Sequence, residues 1–60
     1  MSDYRAYLLG PDGHIESFQT VMAPDDERAV AIAREFVKGR NVELWHLARK
    51  VAILTPEGVR

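Results

Sequence analysis

The chain has no cysteine. That absence excludes a disulfide framework, a thiolate metal site and a cysteine nucleophile. It also has no apolar run near the roughly 20 residues that span a bilayer, and Met1-Ser2-Asp3-Tyr4-Arg5 lacks the basic-then-apolar order of a signal peptide. Together these point to a cytoplasmic protein without membrane attachment. Charge of one sign is missing as well. Eight Lys and Arg stand against nine Asp and Glu, so no bulk field draws the chain to nucleic acid or lipid. At 47% apolar and 28% charged residues, the composition is that of a folded globular protein rather than a disordered one.

With 60 residues the chain forms one domain, near the lower limit for a self-supporting core. A stability of about 3–5 kcal/mol is expected at this size. Self-association is one way to add to so thin a margin. The charges that are present divide by position. Asp3, Asp12, Glu16, Asp25, Asp26 and Glu27 precede Arg28 with only Arg5 opposing them, and the later half is mainly basic. Three of the acids fall where a helix would begin and two of the bases where it would end, which suits the helix dipole.

Tyr4 to Leu9 is aromatic and branched, as a short strand requires. Gly10-Pro11-Asp12-Gly13 then supplies a turn, with proline presetting φ and glycine accepting a positive φ. A returning strand runs from His14 to about Met22. Its register stays open: a three-residue loop pairs Leu9 with Ile15, and a four-residue loop pairs Leu8 with Ile15. Asp25 is placed to cap a helix over 25–38. Ala29, Ile32, Ala33, Phe36 and Val37 form its apolar stripe, and Gly39 occupies the left-handed position after it.

Beyond Asn41 the period changes to two. Val42 and Leu44 alternate with Glu43 and Trp45, and a turn at Leu47-Ala48-Arg49-Lys50 leads into a last strand. Pairing His46 with Val51 and Leu44 with Ile53 puts Val42, Leu44, Val51 and Ile53 toward the helix. Residues 1–54 thus form a single α+β domain of ββαββ order, and 55–60 a flexible tail. The favoured four-stranded antiparallel sheet has order 2-1-3-4, with the helix as a right-handed crossover on one face; order 2-1-4-3 is second.

Tyr4-Arg5-Ala6-Tyr7-Leu8-Leu9-Gly10, Asp12-Gly13-His14-Ile15, Val42-Glu43-Leu44-Trp45 and Arg49-Lys50-Val51-Ala52 together resemble a group of short alphaproteobacterial proteins of uncharacterised function. The likeness covers roughly residues 4–54. It implies a free-standing ββαββ protein of bacterial cytoplasm, and it carries over no activity and no functional residue.

One helix cannot cover both faces of such a sheet. With Tyr4, Ala6 and Leu8 toward the helix, the open face would carry Tyr7, Leu9, Trp45 and Leu54, edged by Arg5, Glu43, Arg49 and Lys50. An indole and a phenol on an uncovered apolar surface suit a protein partner, either unidentified or a second copy of the chain. The alternative is weak single-stranded nucleic-acid binding, with Tyr7 and Trp45 stacking on bases beside Arg5, Arg40, Arg49 and Lys50. Too few bases are present to favour it.

Nothing points to an enzyme. Ser2 and Ser17 have no His-acid partners, His14 and His46 have no metal-ligand spacing, and Asp25-Asp26-Glu27 is accounted for by capping. No cofactor or metal is expected.

Overall fold

The computed structural model describes residues 1–59. Those residues form an antiparallel sheet of five strands with one α-helix on one side. In chain order the elements are β1 (Ser2–Leu9), β2 (Ile15–Ala23), α1 (Asp26–Ala33), a 3₁₀ turn (Arg34–Phe36), β3 (Val42–His46), β4 (Arg49–Thr55) and β5 (Gly58–Val59). The sheet order is β2-β1-β3-β4-β5. β1 therefore pairs with β3, as the favoured topology requires, and the order that placed β4 next to β1 is excluded. The strand count is corrected from four to five. Pro56 and Glu57 turn the chain so that Gly58 meets Thr55 and Val59 meets Leu54, an addition that two residues without periodicity do not announce.

The first hairpin resolves its register through a bulge. The Gly13 amide donates to the Gly10 carbonyl at 3.0 Å, and Gly13 has φ +88°. This is a three-residue loop closed by a residue in the left-handed region, which glycine enters without steric cost. Leu9 then faces Ile15, but Leu8 faces Ser17, so Glu16 has no opposite number. Phe18 comes to lie against Tyr7.

The second hairpin departs from the sequence expectation. Its turn has two residues, Leu47 and Ala48, and His46 pairs with Arg49. Between Leu44 and Trp45 the register slips, so that Leu44 faces Ala52 and Val42 faces Leu54. Ala52 and Leu54, 7% and 1% exposed, are thus the residues under the helix, while Val51 and Ile53 are only half-buried. The cause is the extra residue, since one inserted position exchanges the faces of everything beyond it.

Asp25 caps α1 as expected, its carboxylate accepting from the Arg28 amide at 2.8 Å. The helix is shorter than 25–38, however. After Ala33 it tightens to a 3₁₀ turn, and Val37 is already extended at φ −82°, ψ 93°. Aromatic and β-branched residues such as Phe36 and Val37 are poor helix formers. Spacing of i to i+3 keeps Phe36 in line with Ala33, over the core. Val30 replaces Ile32 in the buried stripe, leaving Ile32 on the surface. The core is built from Tyr4, Val21, Val42, Leu44 and Leu54 with five alanines, Ala6, Ala23, Ala29, Ala33 and Ala52. Small side chains at the helix-sheet seam bury little apolar area each, which keeps the hydrophobic gain modest.

Leu47 has φ +57° and is 84% exposed. A side chain in this region costs about 1–2 kcal/mol, and glycine would remove that cost at an entropic penalty of about 0.5–1 kcal/mol. Leu47→Gly is therefore expected to stabilise the fold by about 0.5 kcal/mol, which in a domain of this size raises Tm by about 2–4 °C. Thermal unfolding followed by circular dichroism checks it.

Candidate interaction surface

Residues directly opposite in a sheet share a face. The pairs Asp3 with Met22, Arg5 with Thr20, Tyr7 with Phe18 and Leu9 with Ile15 therefore define the side of β1 and β2 away from the helix. Arg5 with Trp45 and Tyr7 with Glu43 continue that side onto β3, and Glu43 with Ile53 and Trp45 with Lys50 continue it onto β4. No element among the described residues lies over it.

The aromatic groups on this face are fixed by their neighbours. The Tyr7 and Phe18 rings stand 6.0 Å apart, and the Arg5 guanidinium sits 4.9 Å above the Phe18 ring. The Trp45 indole N–H donates to Glu43 Oε1 at 3.1 Å. Lys50 Nζ lies 5.7 Å from the same indole centre and 3.9 Å from Glu43 Oε2. Cation-π and edge-on ring contacts of this kind orient large side chains while leaving their other surfaces free. Between Tyr7 and Trp45 lies a recess of about 410 Å³ whose lining includes Asp3, Arg5, Thr20 and Leu47. The charges on the face balance: Arg5 and Lys50 against Asp3 and Glu43.

Of the residues placed here from sequence, Tyr7, Trp45, Arg5 and Lys50 lie together on the open face. Three do not stand as placed. Leu54 is under the helix because of the β3-β4 bulge. Leu9 has the expected side but is 8% exposed, covered at the end of the sheet where Pro11, Glu16 and Arg40 border it. Arg49 is on the helix side, opposite the inward His46. Sequence reasoning missed Phe18, Met22 and Ile53. The bulge at Glu16, which brings Ile15 and Phe18 to one face despite their odd separation, had no local signal beyond the ambiguous loop length.

Arg49 belongs to a second polar group. Its guanidinium donates to both Asp26 oxygens, at 3.0 and 3.2 Å. The buried Tyr4 hydroxyl donates to Asp26 Oδ1 at 2.7 Å. The His46 ring packs on Tyr4 at 4.7 Å, with its Nδ1 3.4 Å from Arg49. This arrangement ties the first turn of α1 to the β3-β4 turn. A buried tyrosine needs a partner for its hydroxyl, which was the one sequence clue to Asp26.

The Arg49 hydrogen bond, and after it that from Tyr4, holds the Asp26 carboxyl down at about 2. An ordinary aspartate near 3.8 in the unfolded chain means the contribution to stability is complete above that value. It is lost as pH falls from about 4 through 2. The Asp26 hydrogen bond also raises Tyr4 above 10.0, so a second loss is expected as pH rises beyond that point. Urea midpoints measured for the wild type and Asp26→Asn across pH 2–11 should show both declines in the wild type and flatter ends in the variant.

His14 and Asp12, the other close pair, are exposed at the hairpin tip, with Nδ1 2.7 Å from Asp12 Oδ2. The Asp12 carboxyl also accepts the His14 amide, and chiefly for that reason its pKa is lowered. Capture of an amide two residues on is turn chemistry.

No family model, curated protein or solved structure matches this chain. No helix among the described residues is long and apolar enough to cross a membrane.

Proposed function

We propose that this is a small, non-enzymatic, cytoplasmic interaction protein that associates with a second copy of itself through the open sheet face. The observation that carries the reading is the group of Tyr7, Phe18, Trp45 and Ile53 on one uncovered surface with two acids and two bases around them. An isologous contact must complement itself, and a face of balanced charge meets its own rotated copy without net repulsion. Size supports the same choice. A standard interface takes about 800 Å² from each partner, roughly a fifth of this chain's 4094 Å², so a whole sheet face has to be used. Leu47 adds to the reading: an apolar residue held at positive φ borders the recess, and strain of that kind gathers at binding sites. The cytoplasmic location rests on the resemblance noted above.

Nucleic-acid binding through the same rings has less support. Asp3 and Glu43 cancel the two bases on the face, and Arg49 is committed to Asp26 on the other side. A backbone-tracking groove needs a net positive field.

Light scattering coupled to gel filtration tests the proposal. A concentration-dependent mass above one 6.8 kDa chain is expected between 1 and 100 μM; a single-chain mass throughout would sink it.

A further inference from the structure

The two edges of the sheet are built differently. β5 is two residues long and follows Pro56, which has no amide to give to a ladder. β2 is nine residues long and, among the described residues, pairs with β1 alone, so one side of its backbone has no strand partner there. Proteins protect such edges with charge, proline, bulges, short length or a covering element. Along Ile15–Ala23 the only such device is the bulge with its charge at Glu16, close to the hairpin end, and Ser17–Ala23 has none. Ile15, Phe18 and Met22 are 58%, 47% and 51% exposed.

We propose that β2 is a pairing edge, which joins two copies of the chain in antiparallel fashion about a two-fold axis at Gln19. The sheets then run on as one, with both helices on the same side. This contact is separate from the open face and does not depend on it.

The strand fits its own reverse. Centred on Gln19, pairing sets Phe18 against Thr20 of the second copy, an aromatic residue beside a β-branched one, which is a favourable cross-strand pair. Ser17 meets Val21, and each Glu16 meets a Met22. The two Glu16 positions fall at opposite ends, about 20 Å apart at the rise of an extended strand, so the like charges barely interact. The strand is thus complementary to its own reverse, with no charge repulsion across the axis, and the occupant is a second copy of the chain.

Gln19 offers a test that leaves the open face untouched. It lies opposite Ala6, on the helix side, and is itself exposed, so a lysine or glutamate there disturbs neither the core nor Trp45. Gln19→Lys and Gln19→Glu each place two like charges at the axis. Each alone is expected to halve the assembly mass seen by light scattering, and an equimolar mixture to restore it. β2 amides in the wild type should exchange more slowly than in either variant. An unchanged mass for Gln19→Lys, or a mixture that stays at half mass, would overturn the pairing; so would a wild type of single-chain mass at 100 μM, which would leave the edge to a strand from another protein. Failure of the open-face contact reads differently: Trp45→Ala would keep the wild-type mass while Gln19→Lys halves it.

Discussion

Leu54→Ala is expected to remove about 3 kcal/mol of unfolding free energy, the usual cost of emptying a fully buried leucine site. The chain has only about 3–5 kcal/mol to lose, which leaves about 0–2 kcal/mol and puts roughly 3–50% of the molecules in the unfolded state at 25 °C. Ile53→Ala should cost about 1 kcal/mol, because that side chain is only half-buried and faces away from the helix. The contrast tests the register of the second hairpin directly. Pairing without the bulge would bury Ile53 and expose Leu54, and the two costs would change places. Urea titration of both variants, analysed with a common m value, distinguishes the two cases.

Trp45→Ala is expected to weaken self-association by about 2 kcal/mol or more, or roughly 30-fold in Kd. The indole has ring faces available and neighbours that already fix its rotamer, so little side-chain entropy is lost on contact. Analytical ultracentrifugation over a dilution series measures the effect. Because Trp45 is half-buried, the variant also gives up some fold stability, and Leu47→Gly provides the complementary case. That change should stabilise the monomer while removing an exposed apolar side chain from the rim of the recess. A weaker dimer in a more stable chain separates association from folding. Equal Kd values for the wild type and both variants would show that partners do not meet at this face.

Much of the fold was legible in the residues because local and global preferences agree. Asp25 caps, Gly39 takes a positive φ of 76°, and Gly10-Pro11-Asp12-Gly13 turns. Alternation in Tyr4-Arg5-Ala6-Tyr7 put the correct residues under the helix, and short antiparallel connections led to the order of the first four strands. What escaped were the two bulges. A bulge arises from competition between turn geometry and burial over many residues, and neither Glu16 nor Val51 has a composition that announces one. Those two irregularities account for the misplacement of Leu54 and for the omission of Phe18 and Ile53; Arg49 was misplaced because the turn is only Leu47-Ala48, which sets Arg49 opposite the inward His46. The Tyr4-Asp26-Arg49 contact was hidden for another reason: its members come from three elements, and their meeting depends on the second hairpin's true register.

The bulges also limit how this gene can change length. Deleting the codon for Glu16 or for Val51 would make the corresponding ladder continuous while every other residue kept its partner and its face: Ile15 would still lie opposite Leu9, and Lys50 opposite Trp45. A one-codon loss anywhere else in the middle of β2 or β4 would instead exchange the faces of the residues on one side of the gap. Each hairpin thus holds a single position at which the strand can shorten without being rebuilt.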